Sequence, residues 1–195
     1  MKKRVIHWFR NDMRLADNPA LHEASSSGEV MPIYILTPNA MSELGQASKI
    51  WLHHSLDKLN KSTGYKIDFY TGNPREILTE IIQLEKIQGI FWNKIFEPHP
   101  LEIEDELITE LNKMGVSCHS FNGSLLWDPS SILKKDETPY KVFTPYYRKG
   151  CLLSGPPREP LISPKSINWV SGNSKLRLED LRLLPGHDWK KKIES

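Results

Sequence analysis

Arg4-Val5-Ile6-His7-Trp8-Phe9-Arg10-Asn11-Asp12-Met13-Arg14-Leu15-Ala16-Asp17-Asn18-Pro19-Ala20-Leu21 contains a strand, a turn and the start of a helix in succession. Arg4–Phe9 has the length and the β-branched and aromatic content of a strand. Asp17-Asn18-Pro19 reads as a helix entry: Asp17 or Asn18 caps free backbone N–H groups, and Pro19 takes a first-turn position that needs no donor. That helix runs to about Ser26. A strand that turns directly into a helix is the first half of a βαβ unit, and the same alternation recurs outward along the chain.

Four more apolar runs of strand length follow, at Val30–Leu36, Lys66–Thr71, Gly89–Asn93 and Val116–Phe121. Helical stretches separate them. One spans about Gln46 to Lys61, with Ile50, Leu52, Leu56 and Leu59 near one face and Gly64 beyond its end. Another starts at Asn73-Pro74 and carries Ile77, Leu78, Ile81, Ile82 and Leu84, with Gly89 past its expected end. The last, about Leu101 to Met114, opens with Glu102, Glu104, Asp105 and Glu106, where the helix dipole favours negative charge. Five strands alternating with helices predict an α/β fold: a five-stranded parallel sheet, doubly wound and Rossmann-like, with helices on both faces. After Phe121 the texture changes. Pro129, Pro139, Pro145, Pro156, Pro157, Pro160, Pro164 and Pro185 interrupt any sustained period, so residues 131–195 read as an extended connector after an α/β domain over 1–130. Tyr140, Phe143, Tyr146, Tyr147, Trp169 and Trp189 give the connector more aromatic surface than a solvated linker needs, which predicts a surface for them to cover.

At 195 residues the chain has room for one domain and a tail. Lys and Arg total 26 against 24 Asp and Glu, and a net charge of +2 makes no broad basic field for nucleic acid. Cys118 and Cys151 stand far apart with no partner at metal-ligand spacing, which suits ordinary thiols in a reducing compartment. The run Val5 to Arg10 is too short for a signal-peptide core or a membrane span, so the expected location is the cytoplasm. His53-His54 and His99 lack the helix-face partners of a metal site, and no metal is expected. No GxSxG elbow appears, and no catalytic residue is assigned. Lys190-Lys191-Lys192 reads as a solvated end.

In an open parallel sheet, ligands collect outside the carboxyl ends of the strands. The loop after Phe9 contains no glycine, so it cannot wrap a pyrophosphate as GxGxxG or a P-loop does. Its charges alternate instead: Arg10, Asp12, Arg14 and Asp17 form either a network that fixes loop shape or a set of ligand contacts. Trp92-Asn93-Lys94-Ile95-Phe96-Glu97-Pro98 reads in two ways as well, as cleft lining with Asn93 and Glu97 polar, or as edge packing and helix capping.

Trp8 to Leu21 closely resembles the opening signature of the photolyase and cryptochrome family, WFRxDLRxxDNxAL, with Met13 in place of the Leu. The resemblance continues through Trp92-Asn93 and Glu97-Pro98, through Pro139-Tyr140-Lys141-Val142-Phe143-Thr144-Pro145-Tyr146, and through Leu178-Glu179-Asp180-Leu181 and Leu183-Leu184-Pro185-Gly186-His187-Asp188-Trp189. It implies the light-gathering N-terminal domain of a DNA photolyase, most like a bacterial one acting on cyclobutane pyrimidine dimers. In that family an antenna pigment passes excitation to a reduced flavin, which donates an electron to the lesion. The resemblance places the FAD pocket and the damaged-DNA pocket in a helical domain beyond Ser195, with Tyr140, Phe143 and Trp169 at the interface to it. It also places an antenna pigment against Phe9, Arg10, Leu36, Thr37, Pro38, Ser48, Trp51, Asn93 and Ile95, with Asp12, Arg14 and Asp17 as the loop network. Phe9 and Trp51 are then ring faces for the pigment or simply core. Deazaflavin-binding members carry an Arg and an Asp where this chain has Ser48 and Ile95, and folate-binding members an Asn-Glu pair near His99-Pro100. Folate, deazaflavin, flavin mononucleotide or an empty cleft all stay open. Two rival readings are half of a cryptochrome-like photoreceptor and a stand-alone nucleotide-binding module.

Overall fold

The computed structural model describes residues 3–185, apart from the side chains of 98–103. The expected connector end Gly186-His187-Asp188-Trp189 and solvated end Lys190-Lys191-Lys192 lie outside the described residues, as do the side chains of His99 and Pro100. Ten elements build the α/β unit: β1 (Arg4–Phe9), α1 (Pro19–Ser27), β2 (Glu29–Leu36), α2 (Pro38–Glu43), α3 (Gln46–Ser62), β3 (Asp68–Thr71), α4 (Pro74–Glu85), β4 (Gly89–Asn93), α5 (Pro98–Lys113) and β5 (Ser117–Phe121). All five strands are parallel in the order β3-β2-β1-β4-β5.

That order follows from hydrophobic layering and connection handedness. The chain winds outward from β1 to β3 over one face, then crosses back to β4 and β5 over the other, as right-handed crossovers require. Side chains alternate along β1 accordingly. Val5 and Phe9 join Leu21 and Ala24 of α1 and Leu56 and Leu59 of α3, whereas Ile6 and Trp8 join Leu78, Ile81 and Ile82 of α4 and Leu107 and Leu111 of α5. The strands β1, β2 and β4 are buried on both sides and read as near-continuous apolar runs.

The structure adjusts several boundaries. The short helix α2 has no counterpart among the expected elements: Thr37 accepts a hydrogen bond from Ala40 N–H (3.2 Å), Pro38 takes the first turn, and none of its residues is buried. α5 begins at Pro98, earlier than Leu101, because Pro98 also suits a first-turn position. α4 exits through Lys86 in the left-handed region (φ 53°), and Gly89 belongs to β4. β3 starts at Asp68, two residues later than the expected Lys66–Thr71, and that shortening matters.

β2 is longer than β3, which leaves the edge at Val30 open, and the connector fills it. Val30 N–H donates to Asn168 C=O and Val170 N–H donates to Val30 C=O, both at 2.9 Å, so residues 168–170 act as a short parallel edge segment. Further along, Gly172 N–H donates to Asp68 Oδ2 (2.5 Å), and Leu176 bridges Phe69. A Cβ on Gly172 would stand 2.6 Å from both Asp68 Oδ2 and Met31 Sδ, so only glycine allows this approach. Leu178, Leu181 and Leu183 then complete the core over α3, with Ile167 and Trp169 packed beside them. Burying a leucine stabilises by about 1.5–3 kcal/mol, so this strap is part of the domain's stability.

Candidate functional site

The strand order reverses between β1 and β4, and the loops after these two strands splay apart there. Between them lies a cavity of about 350 Å³, lined by Asn11, Asp12 and Arg14 after β1, by Asn93 to Glu97 after β4, and by Gly123 to Leu125 after β5.

Its floor is a closed polar network. Asp12, almost fully buried, accepts from Arg10 N–H at Oδ1 (2.9 Å), and from Asn18 Nδ2 (3.0 Å) and Asn93 Nδ2 (2.6 Å) at Oδ2. Asn18 caps α1, its Oδ1 accepting from Leu21 N–H (3.0 Å) and from Asn93 Nδ2 (2.7 Å). Asn93 in turn accepts from Ala20 N–H at 3.3 Å. Burial holds the Asp12 carboxyl above the ordinary carboxylate range, against the pull of the Arg10 N–H and Asn93 hydrogen bonds. His7 lies beneath, fully buried, with Nε2 3.5 Å from Asn18 Nδ2, and burial pushes it down to about 3, so the imidazole is neutral.

Arg10 turns away from the cavity. It pairs with Glu104 of α5 (2.7 Å), and its guanidinium carbon stands 4.8 Å from the centre of the Trp8 ring. Glu104 also accepts from the Trp92 indole N–H (2.5 Å), so one buried carboxylate ties α5 to both β1 and β4. Arg14 closes the other side: its Nε and Nη2 donate to Asp17 C=O (3.1 and 3.0 Å), and Nη2 also donates to Gly123 C=O. Gly123 is pressed onto Asn93, where an added Cβ would fall 2.4 Å from Asn93 Cγ. The connector reaches this loop too. Arg158 Nη1 pairs with Asp17 Oδ1 at 2.6 Å, and Asp17 and Leu161 exchange further bonds.

Asp12, Arg14 and Asp17, expected as a loop network, bond largely to backbone and amide groups: Asp12 to Arg10 N–H, Asn18 and Asn93, Arg14 to the Asp17 and Gly123 carbonyls, and Asp17 to Arg158 and Leu161 N–H. Of the nine residues expected around a pigment, Asn93 and Ile95 line the cavity. Phe9 and Leu36 are buried in the α1 and α3 layer, and Arg10 is committed to Glu104. Thr37 caps α2, Pro38 starts it, and Ser48 and Trp51 lie exposed on α3, Trp51 at 76%. Tyr140 is half-buried edge-on to Tyr146, Phe143 is 74% exposed and stacked on Tyr147, and Trp169 packs on the core of its own domain. Sequence reasoning missed Asn18 as the hub, Glu104 as a buried partner, and Gly123 and Arg158. Only Asn18 had a local signal, its place before Pro19.

What the site can do is hold a molecule. Lys94 and Glu97 put opposite charges on its walls beside Arg14, which is bonded to two backbone carbonyls, and Ile95, Phe96 and Leu125 line it with apolar atoms, over a floor too fully bonded to give or take protons easily. The volume falls in the range of small-molecule sites, roughly 300–1,000 Å³.

The sequence matches the family described as DNA photolyase over residues 5–163. A deoxyribodipyrimidine photo-lyase of Agrobacterium fabrum is 35% identical, over 96% of this chain and 40% of that protein. Cryptochrome-2 of Arabidopsis thaliana is 29% identical, over 92% of this chain and 32% of that protein. The crystal structure of a bacterial class III photolyase from Agrobacterium tumefaciens superposes with a TM-score of 0.87 at 33% identity, over 100% of this chain and 41% of that one. A Synechocystis cryptochrome shares the fold, with a TM-score of 0.80 at 24% identity. The chain thus spans about 40% of the length of the photolyase relatives it matches.

Proposed function

Since the chain belongs to the DNA photolyase family and covers its N-terminal domain, we propose that it serves as the light-harvesting part of a deoxyribodipyrimidine photolyase. It holds an antenna pigment and passes excitation to an FAD in the remainder of the protein. Residues 1–130 form the antenna domain and 131–195 the connector to a helical FAD-binding domain, which Tyr140 and Phe143 meet on their exposed sides, while Trp169, also expected at that interface, packs on the core beside α1 and α3. Damaged DNA is engaged through that domain, in the cytoplasm. Among the described residues no helix is long and apolar enough to cross a membrane.

The observation that carries the reading is the cavity at the strand-order reversal, with its rigid floor and mixed charged and apolar walls. When bound, the pigment supplies near-ultraviolet or blue absorption. The residues supply placement: Asn93 and Asp12 hold the two loops at a set spacing, Ile95, Phe96 and Leu125 exclude water from a ring, and Lys94 faces an anionic arm. Folate, deazaflavin and flavin mononucleotide are the candidates, and Ser48 and Trp51 join the contact set only for a ligand that extends over α3. Incubating the purified chain with each in turn and recording its absorption after desalting tests the reading. A retained band is expected for one of them, and none with any candidate would overturn it. The 29% identity to a plant cryptochrome favours a second reading, half of a photoreceptor. A light-dependent repair assay on the full-length protein separates the two.

A further inference from the structure

The connector makes one contact with the candidate site that its covering of the sheet edge does not require. Asp17 lies at φ 49°, a left-handed conformation that Asp adopts more readily than most residues with a Cβ, and neighbours brought by the connector hold it there. Those neighbours lie more than 140 positions away. Arg158 Nη1 donates to Asp17 Oδ1 (2.6 Å), Leu161 N–H donates to the same oxygen (3.2 Å), and Asp17 N–H donates to Leu161 C=O (2.7 Å). In this conformation Asp17 turns its own carbonyl onto Arg14, whose guanidinium donates to it, lies 4.0 Å from the Asp17 carboxylate and spans from Asp17 to Gly123. Gly123 begins the third wall of the cavity and rests on Asn93.

We propose that Arg158 is a positioning residue for the cavity, acting through Asp17 and Arg14 to set where the wall Gly123–Leu125 stands. The inference deepens the reading of the cavity as a pigment site. Its consequence is that docking of the connector, and with it whatever follows the connector, is coupled to the shape of the antenna cavity. Arg158 is 41% exposed and its one other hydrogen bond is to Glu159 C=O (3.2 Å). An exposed pair of this kind contributes little to global stability, so its removal perturbs the loop without unfolding the domain.

The wall carries its own reporters. Ser124 and Leu125 N–H both donate to Asn122 Oδ1, at 3.3 and 2.9 Å, and the Arg14 Nε–H donates to Asp17 C=O. The test is hydrogen exchange by NMR on the ligand-free chain, comparing wild type with Arg158→Met and Arg158→Lys. The Met variant is expected to exchange roughly three- to tenfold faster at Ser124, Leu125 and the Arg14 Nε–H, with β1 and β4 amides unchanged. The Lys variant, which keeps a cation for Asp17, restores protection. Faster exchange confined to Asp17 and Leu161, or no rescue by Lys, would overturn the proposal. A parallel titration with flavin mononucleotide tests the pigment reading by itself. Weaker binding by the Met variant than by the Lys variant supports both, and because the exchange result needs no ligand, failure of either idea is seen without the other.

Discussion

Asn93 touches Asp12, Asn18 and the start of α1 with one amide, and it shows why the site's chemistry is placement. Replacing it with leucine strands the Asp12 carboxylate and the Asn18 carbonyl in a buried setting, and a buried group left short of partners costs about 1–3 kcal/mol. Asn93→Leu is expected to lower stability by at least that amount in urea unfolding. Gly123→Ala is expected to cost a similar ~1–3 kcal/mol, since the new methyl meets a side chain that its hydrogen bonds hold in place. His7 adds a pH signature. Its folded value of about 3 lies below the ordinary 6.5, so the unfolded chain takes up a proton first as pH falls. Folding is therefore destabilised through the window from 6.5 down to about 3, by up to about 1.4 kcal/mol per pH unit. Asp12 works in the opposite sense, since its raised carboxyl takes a proton in the folded state first and adds stability as pH falls. Removing the imidazole with His7→Phe should flatten the acid decline between pH 6.5 and about 4. An unchanged slope in stability against pH would show that His7 is not its source.

At the level of elements, the connector is where expectation and structure part most. Its prolines announce the absence of another βαβ unit, and that reading stands at Pro129 and Pro156-Pro157. What they do not announce is that residues 168–183 fasten to the sheet edge and the α3 layer. The pairing at Val30 is possible because β3 begins at Asp68, opposite Ile33, where Asp68 accepts from Gly172 N–H, a residue remote in sequence. Two outcomes follow. Leu181→Ala should cost about 2–5 kcal/mol, as for other buried leucines, although it lies in what reads as a tail. Gly172→Ala should lift the strap from the edge, seen as faster amide exchange at Val170 and Val30 with β1 pairing intact; protection equal to wild type at both would mean that the close approach is not needed. β1, β2 and β4 were legible because each is apolar over a short span. α2 was not, having no buried residue and hence no period to read.

For the whole molecule, charge and cavity point the same way. A net charge of +2 gives no field to draw duplex DNA. Fluorescence anisotropy on this chain alone is expected to give only weak, salt-sensitive binding, with a Kd of roughly 10⁻⁴–10⁻⁶ M and no preference for a damaged site. Tight, lesion-selective binding by these residues would contradict the proposed division of labour. The Phe143 and Tyr147 rings, stacked with their centres 5.8 Å apart, are exposed on the connector, where the proposed helical domain would meet them.

The sequence by itself determined the class of fold, the five strands and the family signature from Trp8 to Leu21. These are local matters: period, capping and motif, each decided by residues within a few positions of one another. Only the tertiary structure decided that Arg10 answers Glu104, that Phe9 and Leu36 face the core, that Gly123 seats Asn93, and that Arg158 reaches Asp17. Those pairings depend on which sheet face a side chain takes and on which distant segment arrives opposite it. No local pattern carries that information, because the partner's contribution to the energy appears only once the chain has folded.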